Sequence, residues 1–231
     1  MWIVKKDQLK IVNQDPVFSC GEKEMLRKVT LFAIVGIFYL FLLRTVGTFY
    51  QHIFRENLTL VQITKALALL AILAFVFFFA CFLKYCLGKK RTELKGATVF
   101  VLMGYILMTV LYLKDLLSVF NVKGIFSPYF IEPFIPLVGS LSLLVFFIVF
   151  YKNPLTKSRK NAEKFLIFPV VGATIDLIIR SFILLRYFYF RDIRWFADLP
   201  EKFKIIVTPL VFFSFLMILY FFIYFYKYTE K

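Results

Sequence analysis

The stretch 205–226, IIVTPLVFFSFLMILYFFIYFY, contains no charged side chain over its whole length. A helix needs about 20 mostly apolar residues to cross the hydrocarbon core of a bilayer. In lipid, a segment of this length satisfies its own backbone hydrogen bonds only as a helix. The stretch therefore predicts a membrane-spanning helix.

Five earlier stretches have the same apolar character. The six predicted spans run approximately over 29–50, 62–83, 97–120, 132–151, 165–188 and 205–226. The whole chain of 231 residues is 61% hydrophobic, well above the roughly 45–50% of a soluble domain. We therefore predict an all-α integral membrane protein with six transmembrane helices. Because the first span follows a mostly polar tail, 1–28, we interpret it as a retained span and not as a signal peptide.

An internal repeat accompanies the spans. Three glycines, each preceded four residues earlier by a phenylalanine, are spaced by 68 residues: Gly36, Gly104 and Gly172. The same offset relates the pattern F-x-K-x-x-L at 82–87 to its copy at 150–155. A fixed period of this kind is typical of tandem structural units. We expect a six-helix domain, 29–231, built from three helical hairpins at 29–91, 97–159 and 165–231.

The positive charge, net +15, is distributed unevenly along the chain. Eighteen of the 29 basic residues fall in the tail, the second and fourth connections and the C-terminal end. Since basic loops remain in the cytoplasm, this asymmetry predicts a multi-pass protein of the cell (plasma, or inner) membrane with both termini cytoplasmic. Short basic loops suit anionic headgroups, so the expected partner is the lipid bilayer and no nucleic acid.

Charged residues inside the predicted spans are concentrated in the odd-numbered ones. A charge at the bilayer centre costs about 2.5–3.5 kcal/mol, and such residues usually face a protein interior or a water-filled cavity. We therefore expect the odd helices to line a polar core and the even helices to face lipid. The candidate substrate-binding residues are Arg44, Tyr112, Asp115, Asp176 and Arg180.

Spacing refines the predicted core. Asp176 and Arg180 lie four residues apart with the acid first, the favourable order for an ion pair within one helix. Arg44 has no acidic partner on its own helix, so its expected mates are Asp115 or Asp176 across the core, or a bound anion. The three repeat glycines predict close helix contacts on the cytoplasmic side of this core. The polar vestibule would then open outward.

The sequence lacks the residues that several kinds of cofactor, metal and catalytic site require. The single histidine, His52, excludes a bis-histidine haem and paired-histidine metal motifs within this chain. No P-loop, dinucleotide-binding or Gly-x-Ser-x-Gly motif occurs. We expect no cofactor, no metal site and no structural disulfide among three cysteines. The three-hairpin plan resembles that of mitochondrial carriers, but their Pro-x-[Asp/Glu]-x-x-[Lys/Arg] signature is missing, so no property is transferred.

Three hypotheses of function follow. The first is a small transport or permeation protein for an anionic or proton-coupled solute, with a small solute or ion as its ligand. The second is a non-catalytic membrane subunit or scaffold, with another membrane protein or a second copy as its partner. The third is a lipid-headgroup enzyme at the external face, beside Glu132, Asp115 and Arg186. Non-enzymatic roles are favoured, because few side chains suited to catalysis are present.

Overall fold

The computed structural model describes residues 20–49, 58–88, 92–120, 132–152, 160–190 and 201–230, without some side chains near helix ends. Within these ranges lie six helices: α1 Cys20–Phe49, α2 Leu58–Gly88, α3 Thr92–Val119, α4 Phe134–Lys152, α5 Lys160–Phe190 and α6 Glu201–Glu230. All six are long and apolar enough to cross a membrane. The prediction of an all-helical chain with six such segments is confirmed, and it fits a multi-pass membrane protein. Helix α1 begins within the predicted tail 1–28, whose first 19 residues lie outside the described ranges.

The helices form a closed ring. Each packs mainly against its neighbours along the chain, and α6 packs against α1. Neighbours are antiparallel: near the start of α2, the Thr64 carbonyl oxygen accepts a hydrogen bond from the Tyr39 hydroxyl of α1 at 3.2 Å. We call the end where α1, α3 and α5 begin the basic end, after residues such as Lys28, Lys84 and Lys152. The ring encloses a central space between the helices.

The outside of the ring is apolar. Large hydrophobic side chains stand exposed on every helix, with Phe32 at 67%, Phe77 at 62% and Ile205 at 74% exposure. A soluble protein rarely exposes contiguous apolar patches beyond a few hundred Å². This surface therefore suits the hydrocarbon of a bilayer.

A phenylalanine cluster fills the ring towards the basic end. Its nine members are Phe78, Phe79, Phe82, Phe146, Phe147, Phe150, Phe221, Phe222 and Phe225. Seven of them are among the largest fully buried side chains, and neighbouring rings lie within 6.4 Å, centroid to centroid. Helices α2, α4 and α6 supply three each, so the expectation that even helices simply face lipid is wrong. The distribution of charged residues could not reveal this burial. Phenylalanine is equally stable in lipid and in a protein interior, because both are apolar.

Glycine permits close contact between α5 and α6. A Cβ added at Gly172 would lie 2.8 Å from the Cβ of Met217 and 2.9 Å from the carbonyl oxygen of Ser214. Neither atom is the end of a flexible side chain, so a methyl group here requires the two helices to separate. Gly96 of α3 is a natural comparison, because its added Cβ would meet nothing within 4 Å.

We predict opposite effects for one substitution at these two glycines. Gly172→Ala should destabilise the protein by about 1–3 kcal/mol through overpacking. Gly96→Ala should stabilise α3 by about 0.5–1 kcal/mol, because alanine has the higher helix propensity. Unfolding of both variants in mixed micelles, followed by circular dichroism, measures the difference. Equal stability of the two variants would show that α5 and α6 do not approach this closely.

Candidate solute-binding cavity

A cavity of about 90 Å³ lies inside the ring. All six helices contribute to its wall, and on α2, α4 and α6 its lining residues precede the phenylalanine cluster. The cluster therefore separates the cavity from the basic end. One molecule of liquid water takes up roughly 30 Å³. The cavity therefore suits a few waters or a small solute.

An ion pair on α5 provides the charge in this cavity. The Nε atom of Arg180 donates to Oδ2 of Asp176 at 2.8 Å, across one helical turn. The two side chains are only 18% and 12% exposed, and both line the cavity. The i,i+4 spacing places them on one face, as the sequence indicated.

Ser140 of α4 joins this pair from the neighbouring helix. Its hydroxyl donates to the same Oδ2 of Asp176 at 2.5 Å, and its oxygen also lies 3.1 Å from the carbonyl oxygen of Pro136. Ser140 and Asp176 are both buried. Since buried carboxylates are costly unless hydrogen-bonded, Ser140 contributes to holding the charge inside the ring.

Two tyrosines of α3, Tyr105 and Tyr112, complete the polar wall. Tyr105 is stacked on Phe75 of α2, with ring centroids 4.9 Å apart. Neither tyrosine hydroxyl, and neither terminal nitrogen of Arg180, makes a hydrogen bond with another described residue. These donors are available to a ligand in the cavity.

The floor of the cavity depends on the glycine contact described above. Ser214 of α6 is buried and donates to the Gly172 carbonyl oxygen at 2.9 Å. This bond attaches α6 to α5 one turn before Asp176, and Ser214 itself lines the cavity. Sequence reasoning did not select Ser214, Ser140 or Tyr105 as site residues. Each of the three is a polar residue in the middle of an apolar span, and this feature of the sequence could have identified them.

The candidate residues predicted from sequence are only partly brought together. Tyr112, Asp176 and Arg180 share the cavity. Asp115 is not among the described residues that line it; it accepts a hydrogen bond from Lys65 of α2 at 2.9 Å. Position 44 lies in α1, one turn beyond Leu40, which lines the cavity. The Arg44 side chain itself lies outside the described part, so its role stays a prediction.

Two further ion pairs lie near the opposite end of the ring from the basic end. Lys65 of α2 pairs with Asp115 of α3, and Lys114 of α3 pairs with Glu132 just before α4. Lys65 is 38% exposed and its amine lies against the Asp115 carboxylate. Both pairs connect neighbouring helices. In the described ranges, no group of three or more His, Cys, Asp or Glu side chains could hold a metal ion.

The described wall of the cavity thus offers one guanidinium, two phenol hydroxyls and one buried carboxyl group. That combination recognises a small anion or a group able to exchange a proton. Compared with known proteins, the chain matches no protein-family model, no curated protein and no solved structure.

Proposed function

We propose that this chain is a small multi-pass membrane protein that transports an anionic or proton-coupled solute, or forms its permeation path. The observation that carries the proposal is the position of the Asp176–Arg180 pair. It lines a cavity inside a closed ring of six apolar helices. Ionisable groups inside membrane helices are costly and usually belong to substrate or ion pathways.

We further propose that the three hairpins are structurally equivalent and surround a pseudo-threefold core. In support, each repeat glycine has a close neighbour on the second helix of its own hairpin: Ala71 for Gly36, Gly139 for Gly104 and Ser214 for Gly172. Ala71 and Gly139 are themselves 68 residues apart. The phenylalanine cluster adds three triplets with the same i, i+1, i+4 spacing. Equivalent units around one axis would explain why every helix contributes to the cavity.

The proposed orientation places the basic end and both termini in the cytoplasm. The reason is the asymmetry of lysine and arginine between the two sets of connections. The phenylalanine cluster would then lie on the cytoplasmic side of the cavity. The ion pairs of Asp115 and Glu132 would lie near the external rim.

Cysteine labelling tests this orientation. In a variant lacking the native cysteines, an impermeant thiol reagent added outside intact cells should label Lys123→Cys or Lys202→Cys. It should miss Lys90→Cys and Lys157→Cys until the membrane is permeabilised. External labelling at position 90 would show that the true orientation is the opposite of the proposed one.

A scaffold or non-catalytic subunit is the second candidate function. It is favoured by the fact that Asp176 and Arg180 neutralise each other, as a pure helix-packing pair would. Buried ion networks of this kind need no solute. The two candidates differ in whether the cavity admits one.

Anion flux into proteoliposomes tests the proposed function. The purified protein is reconstituted, and swelling is followed by light scattering after mixing with isotonic potassium nitrate. Valinomycin supports anion uptake without a proton, and nigericin supports uptake together with one. We expect protein-dependent swelling in nitrate and none in potassium gluconate, whose anion exceeds the cavity. Absence of nitrate-dependent swelling with both ionophores would favour the scaffold.

A further inference from the structure

The Asp176 carboxyl group is placed so that it can exist in two protonation states. When it is charged, the Ser140 hydroxyl donates to Oδ2 across 2.5 Å. When it is protonated, the acid can donate to the Ser140 oxygen, and the Ser140 hydrogen can turn to the Pro136 carbonyl oxygen 3.1 Å away. Since a hydroxyl has one donor and two acceptor lone pairs, both states give the Ser140 hydrogen an acceptor, and the protonated state also gives the acid proton one.

Arg180 responds differently to these two states. With Asp176 charged, the guanidinium is neutralised at Nε, and an arriving anion would also meet the nearby carboxylate. With Asp176 protonated, the same guanidinium loses the negative charge that its Nε now contacts. Burying such a cation is costly until an anion joins it. Protonation of Asp176 and anion binding at Arg180 should therefore favour each other.

Few other described residues in the cavity wall could take up the proton or bind the anion. The other titratable described residues there are Tyr105 and Tyr112 of α3, whose hydroxyls can donate to an anion. The described lining residues of α1, α2, α4 and α6 bear no charge. Position 44 of α1 carries an arginine whose side chain lies outside the described part.

From these contacts we propose that Asp176 is a proton-exchanging residue and that the ligand is a small monovalent oxyanion bound at Arg180. The anion is taken up together with one proton, which water in the cavity delivers to the Asp176 carboxylate. A cavity of about 90 Å³ suits a small ligand. This inference rests on the proposed function. It adds the chemical class of the solute and the coupling of its uptake to one proton.

Calorimetry of the purified full-length protein in detergent tests the coupling. Nitrate is the first probe, because it does not itself take up a proton near neutral pH, and lactate is the second. Titrations in two cationic buffers of different ionisation enthalpy give the number of protons taken up per anion. We expect about one proton for the wild type, and an affinity that rises about tenfold for each pH unit of acidification while Asp176 is charged.

Two variants test whether Asp176 is the residue that takes up the proton. Asp176→Asn should bind nitrate without proton uptake and with an affinity independent of pH. Glu24→Gln is the matched control, because Glu24 also pairs with a cation four residues later, Lys28, but on the exposed surface. It should keep the wild-type proton count. If Asp176→Asn does not fold, Ser140→Ala replaces it: loss of the hydroxyl that donates to the Asp176 carboxylate should move the pH dependence of nitrate affinity to higher pH, and an unchanged dependence would overturn the role of Asp176.

The outcomes separate the two proposals. Anion binding to the wild type without proton uptake would overturn the coupling and leave the anion site standing. An Asp176→Asn variant that still takes up one proton per anion would overturn the role of Asp176. If neither nitrate nor lactate binds to the wild type or to Asp176→Asn at any pH, the proposed function fails together with this inference.

Discussion

Replacing Arg180 with leucine should destabilise the protein by about 3–5 kcal/mol, the usual cost of removing one partner from a buried ion pair. The buried Asp176 carboxylate would lose the Nε donor that now lies 2.8 Å away. It would then either hold its charge without the Arg180 cation or take up a proton, and both cost free energy. Unfolding in mixed micelles, monitored by circular dichroism, measures the loss.

A double variant distinguishes a broken pair from a general packing defect. Asp176→Leu/Arg180→Leu removes both charges and should recover most of the lost stability, since apolar replacement of a buried pair is often neutral or stabilising by about 1–4 kcal/mol. A packing defect would make the double variant at least as unstable as the single one. Wild-type stability of Arg180→Leu would contradict the buried, charged state of the pair.

Arg44→Leu should abolish nitrate flux in proteoliposomes while leaving folding and expression largely intact. Arg44 has no acidic residue one turn away in sequence, so its loss strands no carboxylate on its own helix. Its expected contribution is attraction of the anion to the cavity, which a low-dielectric wall strengthens. Swelling in potassium nitrate and thermal unfolding of the same preparation give the two readouts.

Leu42→Ala provides a control on the same helix, because Leu42 is 41% exposed on the outside of the ring. It should retain nitrate flux. If Arg44→Leu stabilised the protein and changed no activity, Arg44 would be a helix-packing charge. The scaffold would then replace transport as the leading function.

The spans and the charged pair on α5 could be predicted from sequence for simple reasons. Each span has about the length that a bilayer requires or more, so length and composition alone identify it. The pairing of Asp176 with Arg180 follows from their separation by one helical turn. Both predictions depend on neighbours along the chain and not on tertiary packing.

Contacts between different helices were harder to predict. Ser140 lies in an apolar helix with no base nearby in sequence, yet the ring brings it within 2.5 Å of Asp176 on α5. Asp115 was a candidate partner for Arg44, and the structure pairs it with Lys65 instead. Several acids and bases at similar depth can combine in more than one way, and helix rotation decides among them. Hydropathy does not encode that rotation.

Burial of phenylalanine was missed for a related reason. Phe77 and Phe78 are consecutive in α2, yet the first is 62% exposed and the second fully buried. Both suit lipid and protein interior, so their hydrophobicity cannot assign them to either. The packing of Phe78 against Phe222 and Phe225 of α6 distinguishes the two positions.

The most direct test of a hydrated, anion-attracting cavity compares two cysteines on α3. In a variant lacking the native cysteines, Tyr112→Cys places a thiol in the cavity wall, and Val110→Cys places one on the outer face, where Val110 is 56% exposed. The rate of modification by the small neutral reagent methyl methanethiosulfonate is measured in proteoliposomes with and without nitrate. We expect only position 112 to react, because thiolates form in water and not in lipid. Nitrate should slow that reaction, because an anion bound at Arg180 would occupy the same cavity. Equal reactivity of the two positions, or no reaction at position 112, would contradict the account.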